Sequence, residues 1–167
     1  MSEILKILSR ELGANAIASG SDIGDKYAVD VSGENPHIPA AVILPRTTED
    51  VAAILKHCSA ARQPVVVQGG LTGLSGGATP QAGELALNLE RMAGVESLDP
   101  ASMGLAALAG TPLQVIQEAA REAGLLFPLD LGARGSCQLG GLIATNAGGT
   151  QVIRFGMTRN LILGLEA

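Results

Sequence analysis

The sequence is poor in aromatic side chains: among 167 residues there is no tryptophan, one tyrosine and two phenylalanines. Proteins that hold single-stranded nucleic acid stack bases on such rings, and Tyr27, Phe127 and Phe155 are too few and too scattered to form a platform. Positive charge is also scarce. Eleven Lys and Arg stand against 16 Asp and Glu, with no basic run, so nucleic acid is not expected as a partner. Long apolar runs are missing as well. Gly, Pro or a charge interrupts every window before the roughly 18 residues that a bilayer crossing needs, so no transmembrane segment is expected. The start, MSEILKILSRELG, lacks the basic, apolar, small-residue order of a secretory signal and points to the cytoplasm. Cys58 and Cys137 lie far apart without the CxxC spacing of a zinc or redox site, and no metal site is expected. Cys58 falls in an apolar helical stripe and reads as a small buried hydrophobe.

A 47% hydrophobic content with 16% charge is ample for a packed core and excludes a disordered chain. The glycines are distributed unevenly. Five fall in residues 69–77 (GGLTGLSGG) and six in residues 132–149 (GARGSCQLGGLIATNAGG), half of the 22 in the chain. Glycine weakens regular elements, so this crowding implies backbone in unusual dihedrals, or backbone that something else approaches closely. No Asp, Glu, Lys or Arg occurs between Arg62 and Glu84, or between Arg134 and Arg154. An anion held by these loops would be held by main-chain N–H groups, hydroxyls and helix N-termini.

Residues 2–12 read as a helix, with Ser2 as N-cap and Gly13 as its stop. Residues 14–40 are mixed and turn-rich. AAVILP is a short strand ended by Pro45, and Thr47 with Asp50 forms a capping box that opens a helix to about Ala61. PVVVQ is a buried strand, which places residues 42–44 and 65–68 as parallel neighbours in a βαβ unit. Residues 85–89 form a third strand, and residues 94–110 a hairpin turning at Asp99-Pro100. Thr111 to Gln114 reads as a second capping box, for a helix through Ala123 stopped by Gly124. GLIATNA is a short buried helix, and Asn160 to Ala167 begins a strand. The fold class expected is α+β with two lobes. A small parallel βαβ lobe spans about 1–93, and a mixed or antiparallel lobe with helices spans about 94–167 and is incomplete at the C-terminus.

GGLTGLSGG fails as a dinucleotide fingerprint, because its spacing is G-x-x-G-x-x-G and no helix pattern follows; no GK[ST] supports a Walker loop either. Gly73 to Gly77 matches G-x-S-x-G, but Pro80 and Gly83 follow where a nucleophile elbow needs a helix, and His37 and His57 both precede the serine.

VVVQGGLTGLSGG, followed about fifty residues later by FPLDLGARGSCQLGGLIATNAGGTQVIRFG, resembles the FAD-binding domain of the FAD-linked oxidases, whose fold is shared with vanillyl-alcohol oxidase. The resemblance covers about residues 38–167 and is strongest to the D-2-hydroxyacid dehydrogenases: D-lactate dehydrogenase, glycolate oxidase and D-2-hydroxyglutarate dehydrogenase. It implies oxidation of a small D-2-hydroxyacid to the 2-oxoacid by hydride transfer to FAD, then electron transfer to a separate acceptor. Gly69, Gly70, Leu71, Thr72, Gly73 and Leu74 match the loop that wraps the FAD pyrophosphate. Pro128, Gly135, Ser136, Gly140, Gly141, Thr145 and Ala147 match the segment that lines the cofactor towards the flavin ring. Two positions depart from the pattern: Leu71 and Leu142 stand where the family often has Asn. Covalent relatives attach flavin through a histidine in the first loop, where this chain has none, so the FAD is expected to be non-covalent.

The resemblance places the catalytic base, the carboxylate-binding residues and any metal-binding histidines in a C-terminal substrate domain. Residues 1–167 are therefore expected to be the N-terminal part of an FAD-binding domain, with the catalytic residues unknown and the fragment alone inactive. The other expectation is a stand-alone flavin-binding or subunit-interaction module without its own catalysis. An incomplete domain leaves a strand edge, through which a homo-oligomer can form.

Overall fold

Five amphipathic or apolar segments in the first 90 residues have to bury a face, and they do so around a small sheet. The computed structural model describes residues 2–166 and divides the chain after Met92 into two units.

In the first unit, α1 (Glu3–Leu12) is followed by the short strand β1 (Ile17–Ala18), then β2 (Ala41–Ile43), α2 (Thr48–Ala60), β3 (Val65–Gln68) and β4 (Leu85–Asn88). The sheet order is β1-β2-β4-β3. β4 pairs in parallel with β2 on one side and with β3 on the other, and β1 lies antiparallel to β2. The expectation that residues 42–44 and 65–68 are neighbours is therefore wrong: β4, later in the chain, is inserted between them. The physical reason is burial. Leu85, Ala86 and Leu87 are apolar on both faces, and only a central position covers both.

Side chains alternate across these strands as the pleat requires. Ala41, Ile43, Leu85 and Leu87 face Ile4, Leu5 and Leu8 of α1 and Ile54 and Cys58 of α2. Val42, Leu44 and Ala86 face Tyr27 on the other side. The Thr47–Asp50 capping box forms as the sequence indicates: Thr47 Oγ1 accepts from the Asp50 N–H at 3.1 Å, and Asp50 Oδ2 accepts from the Thr47 N–H at 3.2 Å. Ser2 sits at the N-cap of α1 but makes no side-chain cap bond.

The second unit holds the antiparallel pair β5 (Val95–Asp99) and β6 (Gly104–Ala107), then α3 (Leu113–Glu122), α4 (Leu139–Ala144) and a single turn, α5 (Val152–Phe155). The hairpin turns at residues 100–103, where Asp99 accepts from the N–H groups of Ala101 and Ser102. Three expectations need correction here. Thr111 does not cap α3; its hydroxyl donates to Leu108 O at 2.6 Å and also serves Gly94, while the Cys137 and Arg134 carbonyls take the N–H groups of Leu113 and Gln114. α4 begins at Leu139, and only Leu142 of its side chains is buried, so it is a surface helix anchored by one residue. Residues 158–161 form a 3₁₀ turn rather than the start of a strand. Among the described residues no strand lies beside 162–166 to supply a ladder.

Candidate functional site

β3 is a β-branched run that ends in a polar residue, and its parallel register delivers the chain to the glycine loop at the carboxyl end of the sheet. That end is where open parallel sheets place ligands. Gln68 closes the loop. Its fully buried side chain donates through Nε2 to Tyr27 O and to Ala78 O, both at 2.9 Å, so the residue entering the loop also grips the residue leaving it. At the end of β4, Asn88 donates to Gly69 O at 3.3 Å and accepts from the Glu90 N–H at 2.9 Å. Leu71 takes a left-handed φ of 56°, and its carbonyl accepts from the Val31 N–H at 3.1 Å. Gly73 passes so close to Asp30 that a Cβ there would lie 3.1 Å from Asp30 Oδ2.

Among residues 70–77, the Leu71 and Gly76 carbonyls accept main-chain bonds, from the N–H groups of Val31 and Thr79. Among the described residues none of the N–H groups of 70–77 is spent on a protein acceptor, and the Thr72 hydroxyl has no protein partner either. Gly73, Leu74, Ser75 and Gly77 are exposed, Leu74 to 76%. The first loop therefore presents a run of unspent donors on a frame fixed at both ends, which is the donor set a diphosphate needs.

A charged cluster braces this frame. Lys26 Nζ lies 2.7 Å from Glu90 Oε2 and 4.6 Å from the Tyr27 ring centre, and Tyr27 donates to Glu90 Oε1 at 2.9 Å. The bond to Glu90 raises the Lys26 pKa. Burial, with the Glu90 bond added, raises that of Tyr27. Burial disfavours the Glu90 carboxylate, but the bonds from Lys26 and Tyr27 outweigh it and lower its pKa. The cluster holds the Tyr27 backbone, whose carbonyl is the Gln68 acceptor.

In the second unit the predicted residues serve unequal purposes. Gly140 donates its N–H to Ala109 O at 2.7 Å, and a Cβ on it would lie 3.1 Å from the Ala109 Cβ, so its missing side chain permits backbone packing. The Gly141 N–H stays unspent among the described residues, and Gly141 is exposed. Gly135 and Ser136 are exposed before the helix, with the Ser136 N–H donated to Ala133 O at 2.8 Å. Thr145 turns its hydroxyl back to Gly141 O at 2.8 Å. Ala147 is tied to the chain that follows, its carbonyl accepting from the Thr158 hydroxyl at 2.6 Å. Pro128 lies instead in a cavity of about 290 Å³ with Arg121, Arg134 and Gln151, which includes none of the α4 residues. Burial raises the pKa of both thiols, Cys58 and Cys137, and both pack in cores. His57 pairs with Glu11 at 2.7 Å on the helix surface.

Residues 39–167 match the family described as FAD binding domain. The chain belongs to that family. It is 48% identical over 128 residues to a D-2-hydroxyglutarate dehydrogenase of Xanthomonas citri pv. viticola, covering 77% of this chain and 27% of the relative. It is 45% identical over 125 residues to the mitochondrial D-2-hydroxyglutarate dehydrogenase of Bos taurus, covering 75% and 23%. The chain thus spans about a quarter of the length of these relatives. Among solved structures, an alkyldihydroxyacetonephosphate synthase superposes with a TM-score of 0.84 over 93% of this chain and 31% of its own, at 17% identity, and shares the fold. The unspent donors of residues 70–77, with no charged side chain in the loop itself, fit an FAD diphosphate.

Several residues that build the site escaped the sequence reading. Gln68 and Asn88 carry a faint signal, as lone polar residues ending apolar strands. Asp30 and Thr79, which tie the 28–32 segment to the loop, carry none. Arg159, whose side chain donates to the Ile143 and Ala144 carbonyls at 2.9 and 2.7 Å and completes the end of α4, carries none either.

Proposed function

We propose that this chain is the FAD-binding part of an oxidoreductase that converts a D-2-hydroxyacid, such as 2-hydroxyglutarate, lactate or glycolate, to its 2-oxoacid. The observation that carries the reading is the run of unspent N–H donors from residue 70 to 77 at the carboxyl end of a parallel sheet, in a chain of the FAD-binding family. Gly69, Gly70, Leu71, Thr72, Gly73 and Leu74 would hold the diphosphate, with main-chain N–H groups and the Thr72 hydroxyl in place of basic side chains. Pro128, Gly135, Ser136, Gly140, Gly141, Thr145 and Ala147 are proposed as cofactor contacts in their own right, Gly141 offering a free N–H. FAD, when bound, accepts a hydride from the carbon bearing the hydroxyl. Glycine at these positions lets the backbone meet the phosphates directly and exclude water from them.

The substrate class is supported by the activity for which relatives 45% and 48% identical to this chain are named. Non-covalent attachment is supported by the absence of histidine from residues 69–77. The residues that bind the substrate carboxylate, remove the hydroxyl proton and pass electrons to a separate acceptor are assigned to the rest of the polypeptide. The test is anaerobic addition of D- and L-2-hydroxyglutarate, lactate and glycolate to the FAD-loaded full-length protein. Bleaching of the flavin band by one or more D-acids or by glycolate, and not by the L-acids, is the expected result; a flavin that none of them bleaches refutes the substrate class.

A further inference from the structure

Asp30 is 4% exposed, and its two carboxyl oxygens have different surroundings. Oδ1 accepts from the Ser32 main-chain N–H at 3.0 Å and from the Ser32 hydroxyl, which fixes the side-chain rotamer. Oδ2 is buried and has no hydrogen-bond partner. A buried oxygen without a donor is unfavourable, so its position needs a reason. The reason is visible at the glycine loop. Oδ2 lies against Gly73, 3.1 Å from where a Cβ would stand. The flanking main chain is bound to the same loop, Val31 N–H to Leu71 O at 3.1 Å and Asp30 N–H to Thr79 Oγ1 at 3.4 Å.

We propose that Asp30 is a positioning residue for the cofactor loop: its carboxyl group, locked by Ser32, fills the space beneath Gly73 and fixes the path of residues 71–74, so that their N–H groups face outward. The inference rests on the reading of this loop as the diphosphate site. Asp30 itself touches no phosphate, because its free oxygen is covered. It acts through the shape of the loop, and glycine at 73 leaves room for the carboxyl group, which a Cβ would approach to 3.1 Å.

The test is equilibrium titration of the full-length apoprotein with FAD, read by flavin fluorescence, alongside thermal unfolding without FAD. Asp30→Asn keeps the shape and the Ser32 contact, and is expected to bind within about two-fold of the wild type. Asp30→Ala empties the space and is expected to weaken binding by about ten-fold. Asp30→Ser, which shortens the side chain but keeps an acceptor for the Ser32 N–H, takes its place if Asp30→Ala does not fold. Gly73→Ala is expected to weaken binding about ten-fold in the wild-type and Asp30→Asn backgrounds, and only about two-fold in the truncated background, where the new methyl group has room. A purely structural role would make the two sites additive. Additive effects, truncated variants that bind like the wild type, or an Asp30→Asn protein that binds ten-fold tighter because the carboxyl group opposes the diphosphate would each overturn the proposal. A wild-type protein that takes up no FAD overturns the cofactor reading and this proposal together; wild-type binding with additive variants overturns the positioning role alone.

Discussion

Gln68 holds both ends of the glycine loop with one amide group, and replacing it removes two hydrogen bonds at once. Gln68→Leu keeps the volume but leaves the Tyr27 and Ala78 carbonyls without a side-chain donor, and is expected to destabilise the protein by about 1–3 kcal/mol, measured by urea unfolding. A second pair of residues separates backbone from side-chain crowding. A Cβ on Gly149 would overlap the Asp130 main chain, whereas one on Gly148 would meet the flexible end of Met157. Gly149→Ala is therefore expected to lower the melting temperature clearly more than Gly148→Ala, the former costing about 1–3 kcal/mol. Equal shifts would show that the Asp130 segment yields as easily as a methionine side chain. At this scale the sequence was partly legible. The glycines mark where backbone must come close, but the residue each one faces lies elsewhere in the chain. The six glycines of residues 132–149 look alike in the sequence, and only the fold shows that Gly140 packs against Ala109 and Gly149 against Asp130.

Helix α2 is the element whose start can be read directly, because a capping box joins residues only three apart. Thr47→Ala removes the acceptor for the Asp50 N–H and is expected to cost about 1 kcal/mol in chemical denaturation, with little effect on FAD affinity. Thr111 shows the limit of the same rule. A matching tetrapeptide fails to cap α3 because Leu108 and Gly94 claim the hydroxyl and distant carbonyls satisfy the helix N–H groups. Strand order is likewise set by burial on both faces of β4, which emerges only when all three strands are compared. The turn at residues 25–28 is tied to the end of β4 by Lys26 and Glu90, and this gives a pH dependence. The lowered Glu90 pKa adds stability above the ordinary carboxylate range, lost as pH falls through the folded value; the raised Lys26 pKa adds stability below the ordinary lysine range, lost as pH rises through its folded value. Both contributions are present near neutrality. Glu90→Gln is expected to cost about 0.5 kcal/mol at pH 7, discounted because both side chains are partly exposed, and the gap to the wild type should close as pH falls below 4. A gap that persists in acid would mean that the hydrogen bonds, not the charge, hold the turn.

At the scale of the whole molecule, the two long motifs and their order made the family legible, while the local physics accounted for only part of it. Composition and spacing identify loops suited to an anion. The family match over residues 39–167 makes that anion FAD. The substrate, by contrast, is not legible in the glycine loop, because residues 69–77 carry no Asp, Glu, His or Lys that could remove a hydroxyl proton. The central claim, that residues 69–77 carry an FAD site formed from main-chain donors, is tested most directly by the visible spectrum of the purified full-length protein after incubation with FAD and desalting. The account predicts a flavin spectrum that acid releases in full from the wild type and that is much reduced in Gly73→Ala. A folded wild-type protein that leaves the column colourless, or one whose Gly73→Ala variant retains the full spectrum, would contradict it.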